Sequence, residues 1–238
     1  MIHTERVPTG IVGLDPILQG GLPKGRSILV TGEPGTGKTI LGLQFLYRGL
    51  KAGERGVLVT ADEAPMDLIE QAASLGWDLE PYIEKKELVI LNAGNYLGSL
   101  FGDAAERGFD VQKAVNELTA VVNRIGAQRL VLDPAGPFVL LRDSIVRVQD
   151  QTRLLIQSLR AAMQTTNILT SYAAPRPGER SVHGIEEYLV AGAIVLEMIW
   201  KDGALARSLI VEKMRSTDVQ PKQMEFDIIQ GEGITLAS

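Results

Sequence analysis

The chain has 238 residues, of which 45% are hydrophobic, enough for a single globular domain (1–238) that buries roughly 70% of its unfolded surface. It has no cysteine and only two histidines, which excludes disulfides and thiolate metal sites. The net charge of -5 argues against a broad surface for nucleic-acid backbones. Because there is no signal-like start and no apolar run of about 18 residues, a cytoplasmic protein without a membrane segment is expected.

Short apolar runs alternate with longer segments of helical period along most of the chain. The runs predict strands at 27–30, 56–60, 88–91, 129–132 and 167–171. Apolar residues at steps of three or four predict amphipathic helices over 110–126 and from residue 145 onward. This alternation predicts an α/β fold whose parallel sheet is covered on both faces and binds ligands at the carboxyl ends of its strands.

The two ends of the chain differ from this pattern. In the C-terminal β region, 193–238, two apolar runs flank a Lys201-Asp202-Gly203 turn and predict a hairpin. Further short strands are predicted at 224–228 and 234–236, so the sheet is expected to finish in an antiparallel edge. The N-terminal segment, 1–22, is expected to pack on the core or on a neighbouring subunit.

The segment GEPGTGKT, 32–39, follows the first predicted strand and fits GxxxxGK[ST], the phosphate loop of P-loop NTPases. Glycines let the backbone turn its N–H groups toward phosphate oxygens, and the helix that begins near Lys38 adds its positive dipole end. The alternative is an ordinary glycine-rich turn, and the pattern is expected to arise by chance in about one per cent of chains of this length. The predicted nucleotide contacts are Gly35, Thr36, Gly37, Lys38, Thr39 and Ile40.

Metal and phosphate chemistry is predicted beside that loop. Lys38 would neutralise charge on the β- and γ-phosphates, while the Thr39 hydroxyl ligates Mg²⁺, a hard cation that takes few protein oxygens and several waters. The run RLVLD ends a predicted buried strand with Asp133, the Walker B arrangement, in which the carboxylate holds the metal directly or through water. An aspartate in this position is otherwise a common cap or turn former.

Two adjacent acids, Asp62 and Glu63, follow the strand predicted at 56–60. At that strand end a carboxylate can orient and deprotonate the water that attacks the γ-phosphate. The alternative is helix capping, because Pro65 suits the first turn of a helix and an acid before it would stabilise the helix dipole. The residues themselves leave the two interpretations equally open.

Longer motifs resemble one family. RVPTGIVGLDPILQGGLPKGRSILVTGEPGTGKT, VTADEAP, LVLD and EKMRST occur in order, from Arg6 to about Leu236, as in the KaiC family of RecA-type ATPases in its single-domain form. Gly13-Leu14-Asp15 and Gly20-Gly21-Leu22-Pro23 belong to no general P-loop pattern. The resemblance implies a RecA-like P-loop NTPase that uses ATP and Mg²⁺.

The resemblance also implies roles for single residues. Glu63 becomes the expected general base with Asp62 in support, and Ser74 matches a family residue near the nucleotide base. Family members form rings with ATP between subunits, so a homohexamer is implied. Four residues are then placed at the nucleotide of the next subunit: Lys213, Met214, Arg215 and Thr217.

Strand geometry agrees with the pairing of Lys213 and Arg215, because residues two apart on a strand point the same way and both cations could reach one phosphate. The alternative is a solvated basic pair at a hairpin end.

The sequence departs from the family pattern at several positions. Pro134 follows Asp133 where the family usually carries serine, Ser216 replaces a common glycine, and Val219 stands where some relatives have histidine. The stretch that matches the phosphorylated pair of the clock protein's second domain reads Glu187-Tyr188. Autophosphorylation at that site is therefore not expected.

Three segments are candidates for contacts with partners. Two could line a ring centre and contact single-stranded nucleic acid or close intersubunit ion pairs: 134–143, with Arg142, and 173–184, with Arg176, Arg180 and His183. The segment 94–109 could dock a protein partner or pack in the core.

The sequence leaves three functions open. The first is a ring ATPase for signalling or timing. The second is an assembly module that ATP holds together with negligible hydrolysis. The third is a DNA-recombination accessory.

Overall fold

A computed structural model describes residues 4–93, 111–135, 145–172 and 189–237, and the fold is given for these residues. The helices are α1 (Leu14–Ile17), α2 (Lys38–Lys51), α3 (Pro65–Ser74), α4 (Glu80–Glu84), α5 (Val111–Ile125) and α6 (Ile145–Ala162). The strands are β1 (Arg6–Val7), β2 (Leu22–Pro23), β3 (Ser27–Gly32), β4 (Gly56–Thr60), β5 (Leu88–Asn92), β6 (Arg129–Asp133), β7 (Thr166–Tyr172), β8 (Gly192–Lys201), β9 (Ala204–Met214), β10 (Gln223–Ile229) and β11 (Gly233–Leu236).

Nine of the strands form one sheet in the order β11-β10-β9-β8-β3-β7-β6-β4-β5. Strand β3 is central and runs parallel to both neighbours, β7 and β8. Strands β9, β10 and β11 are antiparallel, and the β8–β9 hairpin turns at Asp202 and Gly203, both with positive φ. This arrangement confirms the predicted α/β fold with a mostly parallel sheet and an antiparallel C-terminal edge.

Each face of the sheet is covered by its own hydrophobic cluster, as expected for strands that are apolar throughout. One cluster joins α2 and the C-terminal strands and includes Phe45, Trp77 and Phe226. The other joins α5 and α6 to β6 and includes Leu118 and Leu159. The sheet is therefore held between two packed layers, which fixes the positions of its strand ends.

The N-terminal segment packs on the core of its own chain. Strands β1 and β2 pair antiparallel, and Leu14 is fully buried. The Asp15 carboxylate accepts hydrogen bonds from the backbone N–H and hydroxyl of Thr9, at 2.7 and 2.6 Å, and from the Gly10 N–H at 3.2 Å. The Gly13-Leu14-Asp15 motif thus stabilises the conformation of the N-terminal segment, and it lies outside the phosphate loop.

The parallel register brings selected strand ends together. Gly32 pairs with Tyr172, and Thr60 pairs with Asp133, so four strands end side by side at one edge of the sheet. The loop that follows β3 lies at this edge.

Several sequence predictions fall outside the described residues. These are the segment 94–109, most of the segment 134–143, the segment 173–184 and the Glu187-Tyr188 pair. Within the ranges that are described, no helix combines the length and apolar character needed to cross a membrane.

Candidate nucleotide-binding site

The loop between β3 and α2 has the backbone shape that its glycines predict. Gly35 and Gly37 have φ values of 81° and 105°, in the left-handed region that side chains disfavour. A Cβ on Gly32 would lie 2.4 Å from the Leu196 carbonyl oxygen, so only glycine fits there. The Thr36 hydroxyl donates to the Glu33 carbonyl at 2.8 Å and closes the turn before α2 begins at Lys38.

Lys38 is folded back on this loop. Its Nζ donates to the carbonyl oxygens of Gly32 and Glu33, at 2.8 and 2.9 Å, and lies 5.4 Å from the centre of the Tyr172 ring. Burial lowers the pKa of Lys38, and the nearby charge of Asp133 acts in the opposite direction. The ammonium therefore sits beside the anion site and is held there by backbone carbonyls.

A cavity of about 200 Å³ opens between the loop and the neighbouring strand ends. It is lined by Pro34, Gly35, Lys38, Thr39, Asp62, Glu63, Asp133, Pro134, Thr170 and Tyr172. The structure thus brings together the loop, the Walker B aspartate and the acidic pair, which are separated by up to a hundred residues in sequence.

The acidic pair does not cap the following helix. Helix α3 begins at Pro65 after Ala64, and the Ala64 N–H donates to the Asp67 carboxylate at 3.4 Å. The Glu63 backbone is tied instead to Thr60, whose hydroxyl donates to the Glu63 carbonyl at 2.8 Å and accepts from its N–H at 3.2 Å. The capping role that the sequence left open is taken by a different residue.

Glu63 and Asp62 differ in their surroundings. Burial raises the pKa of Glu63, and the negative charges of Asp133, Asp67 and Asp62 raise it further. Asp62 is exposed and accepts a hydrogen bond from the Tyr172 hydroxyl. A carboxylate with a raised pKa is the better proton acceptor at neutral pH, which favours Glu63 over Asp62 as a base.

Two residues of β7 that sequence reasoning missed contact these acids. The Thr170 hydroxyl donates to Asp133, and the Tyr172 hydroxyl donates to Asp62, which raises the pKa of Tyr172 to about 12. Residues two apart on a strand face the same way, so both hydroxyls enter one cavity. The signal available in the sequence was the position of these polar residues at the end of a predicted strand. Thr170 also supplies a hydroxyl near Asp133 that Pro134 cannot.

The residues at the cavity suit a magnesium ion. Thr39 and Asp133 both line it and offer one hydroxyl and one carboxylate, a donor set that Mg²⁺ completes with waters and phosphate oxygens. In the parts of the chain that are described, no cluster of three or more His, Cys, Asp or Glu could hold a metal by protein ligands alone. The fit is that of a metal bound together with a nucleotide.

Ile40 and Ser74, two of the predicted nucleotide contacts, are not among the residues that line this cavity. Ile40, in the first turn of α2, packs against the core cluster. Ser74 is exposed at the end of α3, where its hydroxyl donates to the Gln71 carbonyl at 2.7 Å. The next carbonyl, that of Leu75, accepts from the Gly231 N–H at 2.8 Å, so Ser74 lies beside the β10–β11 turn.

The EKMRST residues lie at the opposite edge of the sheet. Met214 pairs with Gly192, which pairs with Ile28 of β3, four residues before Gly32 and hence roughly 13 Å from the loop. A ligand bound in the loop of the same chain would be beyond the reach of these side chains. Their described contacts are local: the Met214 side chain is buried, Lys213 Nζ donates to the Val190 carbonyl at 3.0 Å, the Arg215 N–H donates to the Ala191 carbonyl at 2.7 Å, and the Thr217 hydroxyl accepts from Arg6 at 2.6 Å.

A glycine-rich phosphate loop after the central strand of a mostly parallel sheet places the chain among the P-loop NTPases of RecA-like fold. Within this class, the family model described as ATPase: KaiC matches residues 7–238. The chain belongs to the KaiC ATPase family.

Relatives of two lengths are similar to this chain. A UPF0273 protein of Methanocaldococcus jannaschii is 36% identical, over 97% of this chain and 95% of its own length. The circadian clock oscillator protein KaiC of Prochlorococcus marinus is 31% identical over 99% of this chain, which spans only 46% of that relative. The crystal structure of a KaiC-like protein from Pyrococcus horikoshii superimposes with a TM-score of 0.84 at 34% identity, covering 99% of this chain and all of that one.

Proposed function

We propose that the chain binds ATP with Mg²⁺ at the β3–α2 loop and hydrolyses it, with Glu63 as the general base. The observation that carries this proposal is the position of Glu63. It lines the same cavity as Lys38, Thr39 and Asp133, and burial and neighbouring carboxylates raise its pKa. A base placed beside a phosphate-binding loop supports hydrolysis as well as binding.

Each residue has a defined task in this reaction. The N–H groups of the loop and of the first turn of α2 receive the phosphate oxygens, and Lys38 exchanges its two carbonyl partners for the β- and γ-phosphates. Thr39 and Asp133 would hold Mg²⁺, which would supply positive charge to offset that of the phosphates. Glu63 takes a proton from the water whose oxygen attacks the γ-phosphorus, and the bond to the leaving ADP oxygen breaks.

The proposal includes assembly into a ring, taken here as a homohexamer. The register places Met214, which lies between Lys213 and Arg215, level with Ile28 of β3, roughly 13 Å along that strand from the loop, so we assign both cations to the nucleotide of a second copy. They would stabilise the charge that develops on the γ-phosphate, with Met214 and Thr217 beside them. Ser74, next to the β10–β11 turn, would lie near the base of the nucleotide.

Phosphate release by wild type and Glu63→Gln tests the proposal. We expect the variant to bind a non-hydrolysable ATP analogue as wild type does. Its rate of phosphate release should be at least about a hundredfold lower than that of wild type. Glu70→Gln, an exposed substitution on α3, is the matched control and should behave like wild type.

The other outcomes each decide something different. An unchanged rate in Glu63→Gln would remove Glu63 as the base. Tight ATP binding without release by wild type would favour a module that ATP holds together. If calorimetry with Mg²⁺ detects no nucleoside triphosphate binding to folded protein, the proposal fails as a whole.

A further inference from the structure

A second cavity, of about 250 Å³, opens at the edge of the sheet opposite the phosphate loop. Three arginines line it, Arg26, Arg160 and Arg215. Thr4, Ser27 and Ser216, which carry hydroxyl groups, also line it. No acidic residue of the described chain is among the residues that line it. The three arginines give the described part of this cavity a positive charge, which suits an anion.

The three arginines come from separate elements. Arg26 directly precedes β3, and its carbonyl accepts from the Asn167 N–H at 2.9 Å; Arg160 lies near the end of α6; Arg215 follows β9. The fold thus concentrates three cations in one cavity of a chain whose net charge is -5. Three cations that line one cavity favour the binding of an anion there.

The position of the cavity favours one source for an anion. Strand β3 joins the two sites: Ser27 lines the arginine cavity at its start, and Gly32 begins the phosphate loop at its end. The loop edge is acidic through Asp62, Glu63 and Asp133, and a bound nucleotide would add phosphates there. Two edges of opposite charge on one chain are complementary when copies associate head to tail.

We propose that Arg26 and Arg160 form, with Arg215, an anion site that receives the terminal phosphates of a nucleotide held by a second copy of this chain. Guanidinium groups stay charged at all working pH values and bind phosphate oxygens through two parallel N–H donors. The inference rests on the proposed function, since it requires a nucleotide in the loop of the neighbouring copy. It adds two arginines from outside the EKMRST motif to the intersubunit contact.

A mixing experiment tests this site. One partner is the double variant Arg26→Gln/Arg160→Gln, which keeps its phosphate loop, and the other is Lys38→Ala, which keeps its arginines. Each alone should hydrolyse ATP at least about tenfold more slowly than wild type. An equal mixture should recover activity, because about a quarter of the interfaces in randomly mixed rings combine an intact loop with intact arginines.

The control for charge removal is Arg124→Gln/Arg153→Gln. Both residues are exposed, Arg153 lies on the same helix as Arg160, and its ion pair with Asp150 is a surface contact of 3.6 Å. This double variant removes the same number of cations and should match wild type alone. Thermal melting of each variant verifies folding. If the double variant melts at a lower temperature than wild type, the single variants Arg26→Gln and Arg160→Gln replace it.

Failure of this inference is distinguishable from failure of the proposed function. Wild-type hydrolysis by the arginine variant, or no recovery on mixing folded partners, would overturn the shared site. If wild type binds ATP without hydrolysing it, the proposed reaction fails, and sizing with a non-hydrolysable analogue becomes the readout. Assembly of the arginine variant at the same analogue concentration as wild type would then overturn the site.

Discussion

Glu63 and Asp62 are neighbours in sequence and yet have different chemical positions. Both line the cavity, but Asp62 is exposed and accepts a hydrogen bond from Tyr172, whereas Glu63 is less exposed and its pKa is raised by burial and by three nearby carboxylates. No composition or spacing rule distinguishes the two, because the direction of each side chain depends on how the strand end turns. The contact with Tyr172 comes from a strand more than a hundred residues further along the chain.

The raised pKa of Glu63 predicts a link between stability and pH. The folded chain disfavours the ionised carboxylate relative to the unfolded chain, so stability falls as pH rises from the unfolded pKa of Glu63 through its higher folded pKa. We expect ligand-free Glu63→Gln to melt at a higher temperature than wild type at pH 7. The gain should disappear below about pH 4, where the wild-type carboxylate is protonated in both states.

Melting curves of the two proteins at several pH values measure this effect. Glu70→Gln again serves as the control, since its carboxylate is exposed on α3. A lower melting temperature for Glu63→Gln at pH 7 would contradict the expected direction. If this prediction and the one on phosphate release both hold, Glu63→Gln lowers activity and raises stability.

At the scale of elements, α2 joins the phosphate loop to both ends of the chain. Gln44, 3% exposed, projects from the helix between the N-terminal segment and β11. Its amide N–H groups donate to the carbonyls of Gly10 at 2.8 Å, Glu232 at 3.0 Å and Ile234 at 3.1 Å, and its carbonyl accepts from the Ile234 N–H at 2.7 Å. One side chain thus satisfies backbone groups from two distant segments.

Replacing Gln44 with leucine should loosen this junction. The Ile234 N–H and the carbonyls of Gly10, Glu232 and Ile234 would lose their hydrogen bonds to the buried Gln44 amide. We therefore expect the free energy of unfolding to fall by about 2–4 kcal/mol. Denaturant unfolding measures the change. Gln157→Leu, an exposed change of the same type on α6, should stay within about 0.5 kcal/mol of wild type. Equal stabilities of the two variants would show that the Gln44 contacts contribute little.

At the scale of the whole molecule, Arg129 links layers that are far apart in sequence. It is 2% exposed at the start of β6, and burial lowers its pKa. Its Nε donates to Glu54 at 2.5 Å, its Nη1 donates to the carbonyls of Pro8 at 2.9 Å and Phe45 at 2.6 Å, and the guanidinium lies 4.4 Å from the centre of the Phe45 ring. The N-terminal segment, α2 and the sheet therefore meet at one side chain.

Arg129→Met should destabilise the whole fold. Methionine keeps much of the volume but removes the donors to the Pro8 and Phe45 carbonyls and the ion pair with Glu54, and we expect a loss of about 2–4 kcal/mol in the free energy of unfolding. Because the layers unfold together, circular dichroism and tryptophan fluorescence should give the same midpoint. Arg124→Met, exposed on α5, is the control. An unchanged free energy of unfolding in Arg129→Met would show that the Arg129 hydrogen bonds and ion pair do not add to the stability of the fold.

Much of the architecture followed from local pattern. The strand predicted at 56–60 has those bounds in the structure, and the others differ by one or two residues at their ends. Periodicity found α5 and α6 because their apolar faces repeat over four turns or more. The two-residue strands β1 and β2 and the short helices α1 and α4 were missed, since so few residues carry no period and their positions depend on contacts with the rest of the fold.

The sequence alone determined the phosphate loop, the acids that follow two strands and the order of strands and helices, because each of these depends on neighbouring residues. Only the tertiary structure decided that Thr170 and Tyr172 bond those acids and that Asp67 meets the helix start. It alone placed Arg26, Arg160 and Arg215 in one cavity. The physical reason is that strand order and register select which distant strand ends lie side by side, and no local pattern specifies that choice.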